Sequence, residues 1–335
     1  MEYEKKSATN IKNKKEEFIN INKEKQKVIY YKEQKERLLQ ICKLLGIDIV
    51  GVCSADVDEN LKLILEKRRE LGRYTEFEDE DIKKRIDPSL ILKDAKSIIV
   101  CAFPYYNKDE QSKTDKYNLS KYTWGKDYHL VVTEILEKIA TEIQNYIPNF
   151  KYKCFCDTGS LVDRYLAYLS GVGFFGLNNL IITEKYGSYV FIGYIINNFE
   201  FEFDKPMNKE CKKCRKCIEY CPGNVILDNY DINPKNCLSY ITQKKGELSK
   251  KEEIAIKKSK KIFGCDVCQD VCPHNRDINA TNIEQFQEKL IKTIEIYDIK
   301  NLSNKELKAM YGDRAFSWRG KKIIMRNLEI IENDM

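Results

Sequence analysis

"CKKCRKCIEYCP", residues 211–222, sets Cys211, Cys214, Cys217 and Cys221 at C-x2-C-x2-C-x3-C spacing, with Pro222 directly after. In the bacterial ferredoxin pattern the first three cysteines of such a run hold one 4Fe-4S cluster and the fourth ligates a second. Downstream, Cys237 and the run "GCDVCQDVCP" (264–273) add Cys265, Cys268 and Cys272, enough thiols for two clusters. The crossing rule assigns Cys211, Cys214, Cys217 and Cys272 to one cluster, and Cys221, Cys237, Cys265 and Cys268 to the other. The second set, with C-x2-C-x3-C spacing and a distant first member, departs from a symmetrical repeat. Zinc also uses C-x2-C pairs, but it needs no such run and seldom takes eight thiolates for two ions. Lys212, Lys213, Arg215 and Lys216 between the ligands either offset thiolate charge, raising the reduction potential, or simply face solvent.

Working outward, residues 206–285 form a Cys- and Lys-rich stretch of short turns, as expected of a small module stapled by metal rather than by an apolar core. The chain before it differs. From residue 35, apolar residues fall at helical spacing (Leu38, Ile41, Leu44, Leu45) and then in a short strand-like run (Ile47, Ile49, Val50, Val52). "AKSIIVCAFPYY" (95–106) reads as a buried strand stopped by Pro104, "HLVVTEILEKIATEIQNYI" (129–147) as an amphipathic helix, and "KYKCFCDTG" (151–159) as a strand ending in a turn. A helix over Leu161–Leu169 and a strand at "YVFIGYIINN" (189–198) complete a mixed α/β domain. "GVGFFG" (171–176) fits G-x-G-x-x-G, but it follows a helix instead of joining a strand to one, so a dinucleotide site is not expected there. After the cysteines, 283–312 and 321–332 read as helical, with Ser303 and Asn304 as caps before Lys305–Met310.

The whole chain has 335 residues, 42% of them hydrophobic, and a net charge of +6. The first 40 residues hold 11 Lys+Arg against 7 Glu, so most of the excess sits there, and the polar stretch 1–34 reads as a frayed or disordered extension. No apolar leader, twin-Arg or membrane-length run is present, which makes the cytoplasm the expected compartment. There thiols stay reduced, so the 13 cysteines argue for metal chemistry over disulfides. Cys42, Cys53, Cys101, Cys154 and Cys156, in helix or strand patterns, read as buried small apolar residues. Clusters carry electrons to a site, and the α/β domain is where that site is expected.

In order, "LGIDIVGVCSAD" (45–56), "DIKKRIDP" (81–88), "KYTWGKDYH" (121–129), "DTGSLVDR" (157–164), "GVGFFGLNN" (171–179), "NCLSYITQKKG" (236–246), "FGCDVCQDVCPHN" (263–275) and "SWRGKKIIMRN" (317–327) accompany the segments above. Over residues 35–330 this sequence resembles the epoxyqueuosine reductase family, cobalamin-dependent iron–sulfur enzymes of tRNA modification that are related to reductive dehalogenases. The resemblance implies an α+β chain: a cobalamin-binding, nitroreductase-like α/β catalytic domain over 35–205, a ferredoxin-like module with two 4Fe-4S clusters over 206–285, and a short helical segment, 286–335, in place of a longer HEAT-like repeat.

It further implies reduction of epoxyqueuosine to queuosine at the tRNA wobble position, the last step of queuosine synthesis. Cob(I)alamin would be the reductant, charged through the clusters by an external ferredoxin- or flavodoxin-type donor, in a monomeric protein. Asp157 corresponds to the family's proton donor; a carboxyl beside a corrin and shielded from water holds its proton more readily. Arg85, Ser120, Asp157, Ile181, Ile192 and Ser239 correspond to cobalamin contacts, and Lys245, Arg319, Lys321 and Lys322 to positions facing tRNA phosphates. The only histidines are His129 and His274, and no D-x-H-x-x-G segment supplies an axial imidazole, so base-off cobalamin without a histidine ligand is expected and His129 reads as structural. Leu177 stands where the family usually has a lysine. Two other readings remain: a corrinoid dehalogenase of a small organohalide, and an electron-transfer protein without a substrate of its own.

Overall fold

The computed structural model describes residues 26–108 and 117–332; residues 1–25 of the expected extension lie outside it. Its strands are β1 (Val50–Ser54), β2 (Ser97–Pro104), β3 (Asn118–Leu119), β4 (Tyr152–Cys156), β5 (Phe174–Phe175), β6 (Ile181–Ile182), β7 (Val190–Asn197) and β8 (Lys261–Phe263). Every residue of β2 is buried, which demands cover on both faces, and β2 has it at the centre of an antiparallel sheet ordered β1-β2-β7-β4. Helices α1 (26–44) and α4 (Tyr128–Gln144) cover one face, where Leu38, Val132 and Leu136 meet Ile99, Cys101 and Ile195. Helix α5 (Asp163–Leu169) covers the other, with Leu166 and Ala167 against Ile98, Val100 and Tyr194. Gly193 lets α4 lie directly on β7, since a Cβ there would come within 2.6 Å of Val132 Cγ1. Two short helices, α2 (Glu59–Glu70) and α3 (Ile82–Ile86), close one end against Val162 and Tyr165.

Helix α1 starts before the expected boundary at residue 34. Lys35 Nζ pairs with Asp204 at 2.7 Å and Tyr31 packs edge-on against Phe199, so the tertiary contacts of α1 carry it back to residue 26 despite its polar composition.

The cysteine region carries only short helices: α6 (Lys216–Glu219), α7 (Leu238–Ile241), α8 (Lys250–Ser259) and α9 (Val267–Asp270). It is not followed by a separate helical unit. The last helices, α10 (Ile296–Lys300), α11 (Asn304–Tyr311) and α12 (Lys321–Glu332), share one core with Leu119, Trp124, Leu238, Ile256 and Phe263. A parallel β3–β8 pairing ties the α/β layer into that core. Residues 283–312 are helical only at the turn Glu284–Phe286, α10 and α11. Between the first two, Ile291 N–H donates to Trp124 O and Lys292 O accepts from Leu119 N–H, and satisfying these backbone groups outweighs helical propensity. Ser303 caps α11 through a capping box with Glu306.

Candidate functional site

Strand β4 ends at Cys156, and Asp157 turns the chain with φ = 58°, a left-handed conformation that Asp tolerates better than most residues. Gly159 is required two residues on, because a Cβ there would sit 2.0 Å from the Tyr194 hydroxyl. Asp163, opening α5, accepts from the Asp157 backbone N–H at 3.2 Å and pins the turn. The Asp157 side chain is thereby held out into a cavity, 66% exposed.

The residues that meet it come from the start of α4. Tyr128 donates its hydroxyl to Asp157 Oδ2 at 2.5 Å, and His129 Nε2 stands 3.7 Å from the same oxygen. Asp127, the N-cap of α4, accepts from the His129 backbone N–H and holds its Nδ1 at 2.7 Å. Tyr128 lies between rings, stacked on Phe191 at 4.2 Å and on His129 at 4.0 Å. Burial works against charge on the His129 ring, but hydrogen bonds to Asp127 and Asp157 outweigh it and raise its pKa to about 9. Burial, with the field of Asp157, pushes the Asp163 carboxyl up to about 7.

The cavity has a volume of about 450 Å³. It continues into a lobe of about 910 Å³ with which it shares Phe77, Glu78, Arg85, Asp157 and Arg164. Each lobe alone lies in the ~300–1,000 Å³ range of an ordinary ligand site, and together they suit a larger, flatter guest. Of the expected cofactor contacts, Arg85, Asp157, Ile192 and Ser239 line the main lobe. Arg85 also pairs with Glu78 at 2.8 Å on the rim. Ser120 and Ile181 do not line it. The β3–β8 pairing draws Ser120 into the interior, where its hydroxyl donates to Asp266 beside Cys265. Ile181 is sealed into the core under α5.

The eight cysteines fall into two groups. Cys221, Cys237, Cys265 and Cys268 line the same cavity as Asp157. Cys211, Cys214, Cys217 and Cys272 surround a smaller recess together with Leu177, Asn178 and His274. Cys214 is exposed, so this group reaches the surface. Leu177 is buried among cysteines of both groups, and Asn178 lines both spaces. His274 is occupied there, accepting from Lys212 N–H at 3.2 Å. Among the described residues no three His, Cys, Asp or Glu side chains are spaced for a single metal ion.

The basic residues expected to face tRNA differ in availability. Lys245 and Lys322 are exposed. Lys321 Nζ is engaged by the carbonyls of Lys300 (2.7 Å) and Leu302 (2.5 Å). The Arg319 side chain is only 9% exposed, laid over Trp318 (3.9 Å) and Phe77 (4.8 Å). Phe77 also lines the cavity, and Trp318 is exposed.

The chain matches the family described as "Epoxyqueuosine reductase QueG, DUF1730" over residues 85–158 and a "4Fe-4S double cluster binding domain" over residues 210–275. It is 36% identical over 299 residues to an epoxyqueuosine reductase of Lactococcus garvieae (strain Lg2), covering 88% of this chain and 85% of that one. The structure of epoxyqueuosine reductase from Streptococcus thermophilus superposes with a TM-score of 0.81 at 36% identity, over 89% of this chain and 80% of the other. An epoxyqueuosine reductase crystallised with a tRNA-Tyr epoxyqueuosine-modified stem loop superposes at 0.83 and 34% identity, over the same 89% and 80%. A catabolic reductive dehalogenase, 15% identical with a TM-score of 0.50 over 88% of this chain and 37% of that one, shares the fold alone.

Proposed function

The chain belongs to the epoxyqueuosine reductase family, and from that premise we propose that it reduces epoxyqueuosine to queuosine at the wobble position of tRNA, the last step of queuosine synthesis, with cobalamin and two 4Fe-4S clusters as cofactors. The observation that carries this reading is that Asp157 and four cysteine thiols line one cavity. An acid and an electron entry point face the same volume, as a reductive removal of oxygen requires.

The residues fit the cofactors. Cys211, Cys214, Cys217 and Cys272 would hold the outer cluster, and Cys221, Cys237, Cys265 and Cys268 the inner one. Four thiols in each group match the ligand count of a 4Fe-4S cluster. For the corrin, the cavity supplies an apolar floor (Leu161, Val190, Phe191, Ile192) and a polar rim (Arg85, Ser160, Asn178, Ser239) for its amide side chains. We keep the expectation that cobalamin binds base-off without a histidine ligand. When bound, cobalamin supplies a strongly reducing, nucleophilic cobalt.

The chain's own groups do the rest. The exposed edge near Cys214 receives electrons from a donor of ferredoxin or flavodoxin type. Asp157 protonates the oxygen released from the epoxide, its carboxyl held in place by the Tyr128 hydroxyl. The modified base reaches this depth only when turned out of the anticodon stack. The support for tRNA as substrate is the stem-loop complex of the superposed relative.

We assign residues 35–205 to a nitroreductase-like catalytic domain, with α1 extending it to residue 26, residues 206–285 to the ferredoxin-like module and 286–335 to a C-terminal segment. No helix among the described residues is long and apolar enough to cross a membrane. We place the protein in the cytoplasm, as a monomer.

Anaerobic purification with cobalamin supplied, metal counts and turnover of epoxyqueuosine-bearing tRNA test the proposal. The expected result is about eight irons, two clusters of four, with one cobalt per chain, and queuosine formed by the wild type but not by Asp157→Ala. Clusters without corrin or turnover would leave an electron-transfer protein and refute it.

A further inference from the structure

Removing the oxygen of an epoxide as water, leaving an alkene, consumes two electrons and two protons. The electrons come from the external one-electron donor already named. One carboxyl carries one proton, so Asp157 must be reloaded within a turnover or a second proton must arrive beside it. Resting on the reading above, we propose that His129, oriented by Asp127, is the residue that resupplies Asp157 with protons, so that Asp127, His129 and Asp157 form a relay from solvent to the cavity.

The geometry carries this. His129 Nε2 is the nitrogen aimed at Asp157 Oδ2, 3.7 Å away, a gap that one water or a small rotation closes. Its Nδ1 is fixed by Asp127 at 2.7 Å, which leaves Nε2 as the nitrogen that exchanges protons. The side chain is 35% exposed, so the ring touches bulk solvent while reaching a carboxylate in the cavity. In the transfer the Nε2–H bond breaks, an O–H bond forms on Asp157, and the neutral imidazole regains a proton from solvent.

The groups facing His129 are Asp127 from the turn before α4, Tyr128 from α4 itself and Asp157 from the turn after β4; behind Asp157 lie Asp163 and Tyr122. Two carboxylates on one ring favour the imidazolium at neutral pH, in agreement with the raised pKa. The rival source, Asp163, presents its carboxyl to the backbone N–H of Asp157 and not to its carboxyl. Tyr128 donates to the same oxygen, and among the described residues its hydroxyl has no second hydrogen-bond partner through which to reload.

The first test needs no substrate. In full-length protein with isotope-labelled histidine, the NMR titration of His129, assigned by its disappearance in His129→Gln, is expected near pH 9 and to move down by one unit or more in Asp157→Asn and in Asp127→Asn. A midpoint unchanged by both substitutions overturns the relay. The second test is turnover. His129→Gln is expected to lose roughly tenfold to a hundredfold in kcat, with KM for tRNA unchanged. Added imidazole restores part of it, and the pH profile changes shape. Wild-type kcat with the wild-type profile in His129→Gln also overturns the proposal. Should His129→Gln lose its clusters, Asp127→Asn, which keeps the ring, carries the turnover test. A wild type that never turns over would instead refute the proposed function, and the titration would still stand as a test of the relay.

Discussion

Tyr128 donates its hydroxyl to Oδ2 of Asp157 at 2.5 Å while its ring is stacked on Phe191 at an interplanar angle of 6°. The first contact is chemical and the second structural, so one substitution separates them. Tyr128→Phe keeps the stack and removes the hydroxyl that bonds the acid. It is expected to lower kcat by about tenfold, the equivalent of a ~1.4 kcal/mol hydrogen bond, with an unchanged melting temperature. Wild-type kcat in this variant would show that the hydroxyl does not hold the acid in its working position.

The division of the thiols between the two spaces makes a prediction for single ligand substitutions. Cys221 belongs to the first cysteine run, yet it lies with Cys237, Cys265 and Cys268, while Cys272 of the second run lies with Cys211, Cys214 and Cys217. Cys272→Ser should therefore perturb or remove the outer cluster, lowering iron from about eight to about four per chain, and leave the inner signal in electron paramagnetic resonance intact. Cys221→Ser should do the reverse. If Cys272→Ser instead removes the inner cluster, the ligands do not cross between runs.

The pKa of His129 also appears in stability. Its folded-state value is raised from 6.5 to about 9, so the imidazolium stabilises the fold fully below pH 6.5, and that stabilisation is lost as pH rises through 9. The melting temperature of the wild type relative to His129→Gln is therefore expected to be highest near pH 6 and to fall towards pH 10. A difference that stays flat across this range would show that His129 carries no extra proton in the fold.

Why some of this was legible in the sequence and some was not follows from the range of the interactions. Cluster ligation and a β-turn are local, so the cysteine spacings and the Asp157–Gly159 turn stood out. His129 did not, because its proximity to Asp157 is made by α4 lying on β7 and by Tyr128 stacking on Phe191, both long-range contacts. In "WGKDYH" the pairing of Asp127 with His129, two residues apart at a helix start, was the one available signal. Ser120 and Ile181 sit in segments whose periodicity does not say which face meets the cavity, and both went to the interior. Residues 287–295 are rich in helix formers, but the buried backbone N–H of Leu119 and carbonyl of Trp124 claim Lys292 and Ile291 as hydrogen-bond partners.

The side of the molecule carrying Arg319 separates two kinds of tRNA contact. Lys245 and Lys322 are exposed and free to meet phosphates, so Lys322→Ala and Lys245→Ala are each expected to weaken tRNA binding and to reduce the slope of log K against log salt by about one. Arg319 is covered by Trp318 and Phe77, and its guanidinium lies 3.9 Å from Glu76. Its role is to stiffen an aromatic platform whose inner member, Phe77, lines the cavity. Arg319→Ala should therefore leave the salt slope nearly unchanged and instead lower kcat for the modified base, because the platform that borders the cavity mouth loses its support. A fall of one in the slope for Arg319→Ala would place its guanidinium on a phosphate and show that it leaves the Trp318–Phe77 stack when tRNA binds.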